Sequence, residues 1–401
     1  MRFRWGVWVG LALAVAAAAY VGFALVRSVP AMTVNPAARS GVFAGGGPRL
    51  AWPRQGEAAV GVQGVGLIGS HGSRRPTPIA SLAKVMTADV VLRDHPLHGR
   101  AGGPRLTVTR ADVAVYQADL ATGQSVVAVS AGERLTERQA LEGLLLPSGN
   151  NIATLLARWD AGSAHAFVAK MNARARALGL RHTHYSDASG VRGGTVSTAV
   201  DQLRLAIHAL KIPAFRHTVS MVQATLPVAG LQYNKDTMLG RHGIVGIKTG
   251  ATPQAGACFV FAARLRLGRR PTTVVGAVLH QPAGPALSVA SAFRSSTALL
   301  ASTRRALVTR PVVRRGDTLA WITAPWADRV PVRAGRSVSL RGWPGLRVRT
   351  TATIAHLPAP VRAGQHLGTA VVAAGQERAK VRLVASDAVR TPSVEWRLTH
   401  P

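Results

Sequence analysis

Pro78-Ile79-Ala80-Ser81-Leu82-Ala83-Lys84-Val85-Met86-Thr87 opens a stretch that stays almost wholly apolar through Leu92. Apolar on every side, it predicts a helix buried in the middle of a domain. Ser81 and Lys84 stand three residues apart at its start, so on a helix they share a face, one turn from each other. The serine oxygen then lies within reach of the lysine nitrogen. By itself the pair reads as a helix cap beside a solvated lysine. Its meaning depends on what the rest of the chain brings to it.

The 401 residues carry 49 Lys and Arg against 17 Asp and Glu, a formal net charge of +32. Such an excess points to anionic surroundings: nucleic acid, a membrane face or an acidic polymer. Nucleic acid fits poorly, because the arginines are spread thinly with no basic run and only 5% of residues are aromatic. Apolar residues make up 47% of the chain, enough for a packed core, and the length leaves room for two domains. Six of the basic residues are lysine: Lys84, Lys170, Lys211, Lys235, Lys248 and Lys380. Arginine cannot give up its proton in a protein, whereas a desolvated lysine can act as a base. Where charge alone suffices this sequence uses arginine, so each lysine carries information. The lone cysteine, Cys258, excludes an intrachain disulfide and lies in an apolar run, as a buried inert thiol would.

Arg2 and Arg4 precede an uncharged run over residues 5–26, closed by Arg27. That run is long enough to cross a bilayer and exceeds the ~7–15 apolar residues of a signal peptide. Residues 1–29 are therefore expected to be a transmembrane anchor with the N-terminus inside, or a signal sequence whose cleavage leaves a secreted protein. Residues 30–49, rich in Ala, Gly and Pro, read as a linker. Two short strands follow, over residues 57–62 and 65–70. From the Ser81 helix to about residue 230 the pattern is mostly helical, with capping boxes at Thr109/Asp112, Thr136/Gln139 and Thr198/Asp201. One helix stops at Leu146-Pro147-Ser148-Gly149-Asn150 and another starts at once, which would hold Ser148 and Asn150 rigidly between two packed helices. Strands over 244–249, 257–264 and 273–280 come next, then a helix over 287–307. The whole is an α+β fold: an antiparallel sheet with helices on its faces and a large helical insertion over residues 50–307. Short apolar runs between Gly/Pro turns over 308–401 indicate a small C-terminal all-β domain. No amphipathic helix is expected to close the chain, so anchoring falls to the N-terminus.

Three signals line up in order: Ser81-x-x-Lys84, Ser148-Gly149-Asn150 and Lys248-Thr249-Gly250. Ser81 is the candidate nucleophile, and a free hydroxyl needs a neighbouring base. Lys84 can serve if burial and nearby cations lower its pKa. Ser148 can relay a proton toward a leaving amine, and the Asn150 amide can orient Lys84 or the substrate. Lys248 offers a fixed positive charge, Thr249 a hydrogen bond to a substrate carboxylate, and Gly250 room for substrate backbone. The N–H groups of Ser81 and Ala251 would form an oxyanion hole. His182 and His184 have no third ligand at useful spacing. No metal and no cofactor is expected.

This set resembles the low-molecular-weight penicillin-binding proteins that are D-alanyl-D-alanine carboxypeptidases. The resemblance runs over about residues 50–305. It rests on the Ser81 and Lys84 stretch, Leu145-Leu146-Pro147-Ser148-Gly149-Asn150-Asn151, Met171-Asn172 through Leu178-Gly179-Leu180, Ser197-Thr198-Ala199, and Gly246-Ile247-Lys248-Thr249-Gly250 followed by Ala255-Gly256. It implies a β-lactamase/penicillin-binding-protein-like fold and removal of the terminal D-alanine from peptidoglycan stem peptides through an acyl-enzyme on Ser81. It also implies β-lactam antibiotics as inhibitors, and an extracytoplasmic catalytic domain at the cytoplasmic membrane; oligomeric state stays open. Val245, Ala251 and Asn151 depart from the family pattern, in which aspartate, a histidine or aromatic, and aspartate are usual at these positions. Two alternatives remain: a non-catalytic cell-wall-binding homologue and a serine β-lactamase. The second conflicts with the absence of any glutamate between Glu142 and Glu377, since such enzymes deacylate with one.

Overall fold

The computed structural model describes every residue except Met1, Ala38, Arg74, Ala355, His356 and Pro401. The side chains of Arg2 and Arg4, on which the sequence-based membrane orientation rests, lie outside the description. The chain divides into two compact units, residues 47–308 and residues 1–46 together with 309–401.

The larger unit is built on a five-stranded antiparallel sheet in the order Ile244–Thr252, Gly256–Leu267, Arg270–Gln281, Glu57–Val62, Gly66–His71. Its central strands are buried on both faces, which is why Cys258-Phe259-Val260-Phe261 is continuously apolar instead of alternating. Cys258 and Val260 join the core shared with the helical insertion, while Phe259 packs edge-on against Phe293 of the closing helix Ala290–Ala306. Burial pushes the Cys258 thiol up to about 12, the inert form expected.

Helix Lys84–Asp94 runs through the insertion with Val85, Met86, Ala88, Val90 and Val91 all buried, and its buried Asp89 is paired with Arg174 at 2.7 Å. Around it lie Glu137–Leu145, Asn150–Ala161, Ala164–Ala177 and Ala199–Ala209. The capping boxes at Thr109 and Thr136 form as read, each with both reciprocal bonds, and Thr198 accepts from the Asp201 N–H.

Glu137, the first residue of the helix leading to the Ser148 turn, is buried, and neither carboxyl oxygen has a hydrogen-bond partner among the described residues. Burial raises its pKa to about 7. A carboxyl whose folded pKa is raised costs nothing below its unfolded pKa near 4.5, where both states are protonated. The penalty grows through pH 4.5 to 7 and is fully present above. Glu137→Gln is therefore expected to raise stability by on the order of 1–2 kcal/mol at pH 8 and by little at pH 4, read from denaturant midpoints. An equal gain at both pH values would show that ionisation is not the cause.

The smaller unit corrects the reading of residues 30–49. Part of this segment is strand: Thr33–Pro36 pairs with Thr318–Ala324, and Arg39–Val42 pairs with Arg347–Ile354. These two pieces form the edges of a seven-stranded sheet whose inner order is Thr318–Ala324, Ala327–Ala334, Glu377–Ala385, His366–Ala374, Arg347–Ile354. Composition suggested a linker because Pro and Gly are frequent there. Edge positions tolerate them, since only one side of the strand needs partners. The chain also ends in a helix that was not expected, Val394–Thr399, of only six residues. Its Arg397 donates to the Leu25 carbonyl at 2.9 Å, at the end of the N-terminal helix Arg2–Val26. Within that helix Trp5–Val26 is 22 residues long with mean hydropathy 2.3, enough to cross a membrane.

Candidate active site

Ser81 lies in a 3₁₀ turn, Ala80–Ala83, and the α-helix proper starts at Lys84. The turn is tighter than the sequence suggested because Ala80 has a left-handed φ of 48°. Three residues apart, the two side chains still meet: Lys84 Nζ is 2.9 Å from Ser81 Oγ. Nζ is also 2.6 Å from Asn150 Oδ1 and 3.0 Å from the Ser189 carbonyl oxygen. Burial first, then the charge of Lys248, holds the Lys84 pKa well below the ordinary lysine value, against an opposing pull from Asp187.

Those three contacts fit the three donors of an ammonium, and they also fit the neutral amine, which has two N–H donors and one lone pair. Asn150 Oδ1 and the Ser189 carbonyl can only accept, so they take both donors of the neutral amine. The lone pair is left for the Ser81 hydroxyl. Asn150 is held in this orientation because its Nδ2 donates to Gln124 Oε1 at 2.6 Å.

Ser148 occupies the turn between Glu137–Leu145 and Asn150–Ala161 with a φ of 69°. A non-glycine residue there costs about 1–2 kcal/mol. Its Oγ is buried with no hydrogen-bond partner among the described residues. Neighbouring Asn151 is structural: it accepts from Val127 N at 3.0 Å and donates to Val127 O at 2.8 Å. An aspartate at this position would lose the donor.

Lys248 sits on Ile244–Thr252, buried, with Nζ donating to the Thr249 carbonyl at 3.1 Å. Burial and then Lys235 lower its pKa to about 7, with Asp236 pulling the other way. Gly250 is required by contact: a methyl on its Cα would come within 2.8 Å of Ser81 N. Ser81, Ser148, Asn150, Lys235, Thr249 and Gly250 line one cleft of about 800 Å³, to which Ala251 also contributes.

Sequence reasoning missed three contributors, Gln124, Ser189 and Lys235, and read Asp187 only as a residue serving a loop. Gln124 orients Asn150, and Ser189 offers a carbonyl, which no side-chain motif can reveal. Asp187 accepts from Ser189 Oγ at 2.7 Å, Gly190 N at 2.9 Å, Val191 N at 3.0 Å and Thr195 Oγ1, so it shapes the loop that delivers that carbonyl. Lys235 donates to Ser125 Oγ at 2.6 Å at the cleft, its pKa lowered by burial. Lys84, Lys235 and Lys248, three of the six lysines, converge at this site, and no motif around Lys235 announced it. His182 and His184 serve the fold through backbone bonds to Asp201 and Val196.

A serine beside a buried lysine, with a second serine and a buried lysine-bearing strand at the same cleft, is an arrangement that suits serine acyl transfer. The sequence profile of a family described as D-alanyl-D-alanine carboxypeptidase matches residues 66–278, and the chain belongs to that family. The D-alanyl-D-alanine carboxypeptidase of Streptomyces sp. (strain K15) is 34% identical over 233 residues, 53% of this chain and 75% of that protein. D-alanyl-D-alanine carboxypeptidase DacB2 of Mycobacterium tuberculosis is 38% identical over 215 residues, 52% of this chain and 69% of that protein. Among solved structures, the Streptomyces K15 DD-transpeptidase aligns with a TM-score of 0.53 at 29% identity, covering 63% of this chain and 98% of that one. Penicillin binding protein 5 from Haemophilus influenzae shares the fold over 86% of this chain and 99% of its own, with a TM-score of 0.59 at 19% identity.

Proposed function

We propose that this serine-type D-Ala-D-Ala carboxypeptidase removes the terminal D-alanine of peptidoglycan stem peptides through an ester on Ser81. The observation that supports the residue roles is the contact of Lys84 Nζ with Ser81, Asn150 and Ser189, in which the neutral amine turns its lone pair to the Ser81 hydroxyl. Ser81 Oγ attacks the carbonyl carbon of the penultimate D-alanine as its proton passes to Lys84. The N–H groups of Ser81 and Ala251 receive the developing oxyanion. As the C–N bond breaks, Ser148, whose buried Oγ has no hydrogen-bond partner among the described residues, passes the proton from Lys84 to the departing D-alanine amine. Water then attacks the ester, gives its proton to Lys84, and Ser81 leaves with a proton returned. Thr249 and Lys248 hold the substrate's terminal carboxylate, whose charge favours the protonated form of Lys248.

A β-lactam enters the same sequence and stalls at the ester, since its amine stays tethered. The helix Trp5–Val26 anchors the chain with its N-terminus inside and the cleft outside the cytoplasmic membrane. A purified chain incubated with fluorescent penicillin is expected to be labelled and to release D-alanine from a pentapeptide, and Ser81→Ala to do neither. Label persisting in Ser81→Ala would overturn the assignment. Rapid release of hydrolysed penicillin would favour a β-lactamase instead.

A further inference from the structure

The sheet of the smaller unit carries its cations in rows. Along Glu377–Ala385, Val381, Leu383 and Ala385 are buried, while Arg378, Lys380 and Arg382 are exposed. Alternation places these three on one side of the sheet. The register carries that side across: Arg378 lies opposite Ala373 and then Arg349, Lys380 opposite Val371 and then Thr351, Arg382 opposite Thr369 and then Thr353. Arg347 shares the side of Arg349. On the other flank Arg333 lies four residues along the strand from the exposed Arg329, whose guanidinium stacks 4.6 Å from the Trp321 ring. No acidic residue occupies this side on these four strands. Glu377 falls on the opposite alternation and pairs with Arg341.

The rows flank a neutral strip on His366–Ala374 formed by Thr369, Val371 and Ala373. The two rows are two strand spacings apart, about 10 Å, and cations within a row repeat about every 6.7 Å. We propose that this face binds a linear phosphodiester-linked polyanion of the cell wall, lying along the strand His366–Ala374. The strip is one extended chain wide, and the cation repeat is comparable with the separation of successive phosphates on such a chain. Guanidinium forks engage phosphate oxygens bidentately from both sides. A bilayer surface would use the charge but not the rows. A nucleic acid would want open aromatic faces for its bases, and Trp321 is covered by Arg329. The proposal rests on the extracytoplasmic placement given above and not on the catalytic roles.

The test uses the full chain in detergent micelles at physiological salt, with a fluorescent glycerol-phosphate polymer as probe. Comparators are phosphatidylglycerol vesicles and a single-stranded oligodeoxynucleotide. Combined Arg378→Gln, Lys380→Gln and Arg382→Gln should weaken polymer binding at least about tenfold and flatten its salt dependence by a log–log slope of about 2. A charge-matched control, Arg314→Gln, Arg362→Gln and Arg390→Gln, alters exposed arginines outside these strands and should change binding less than about twofold. Thermal melting and D-alanine release, expected to be unchanged in both variants, report folding and the catalytic reading separately. Absence of polymer binding, or equal loss in both triple variants, would overturn the proposal. Tighter binding to vesicles or oligonucleotide with the same residue dependence would overturn the choice of occupant.

Discussion

Lys84→Arg is expected to lower the rate of acylation by penicillin by about a thousandfold, close to the effect of removing the base altogether. Arginine keeps the charge and roughly the reach, so a lysine that acts only as a cation would tolerate it. It cannot accept a proton, and its five donors have no lone pair to offer Ser81. The site holds one acceptor-only carbonyl from Ser189 and one from Asn150, arranged around a single nitrogen. A second variant, Lys84→Met, fills the buried space without a charge and separates loss of the base from loss of the fold. Both should melt as folded proteins, and both should label with fluorescent penicillin at similarly low rates. In the wild type, acylation should rise with pH as Lys84 deprotonates and reach its plateau well below 10.5, because burial and Lys248 depress that pKa. Acylation of Lys84→Arg within tenfold of wild type would remove Lys84 from the role of base.

Much of this site was legible because its chemistry is concentrated in side chains at fixed spacings. Ser81 and Lys84 could be paired from one turn of backbone, and Ser148 and Asn150 from a proline-glycine interruption between two apolar helices. The Lys248 strand was legible from the change of period after residue 240. What escaped is of another kind. The Ser189 carbonyl acts through a backbone atom, so its residue type is almost free. Asp187 reads in sequence as an ordinary loop acid, and only its four donors reveal what it shapes. Residues 30–49 escaped because pairing with strands about 300 positions later leaves no local periodicity. Lys235 was in plain view as one of six lysines, but without a motif around it nothing in the sequence placed it at the cleft.

Gly190→Ala should be the most damaging single change outside the reacting groups. Gly190 has a φ of 82°, which alone costs an alanine about 1 kcal/mol. The larger effect is contact: its new methyl would collide with the Ala80 carbonyl oxygen and lie 2.9 Å from Ala83 Cβ. Both neighbours belong to the turn that presents Ser81, so no flexible side chain can move aside. Either the Asp187 loop retreats and takes the Ser189 carbonyl from Lys84, or the turn shifts and takes Ser81 out of reach. A displacement of about 1 Å at reacting groups is enough for roughly a hundredfold loss in rate, and acylation is expected to fall at least that far. Gly162→Ala isolates the backbone cost, because Gly162 has a φ of 75° with nothing within 4 Å of the added methyl. That control should acylate within about twofold of wild type while losing about 1 kcal/mol of stability. If Gly190→Ala behaves like the control, the loop does not set the geometry of Lys84. A loss confined to Gly190→Ala would mean that the base is oriented by the fit of a glycine against the nucleophile's own turn.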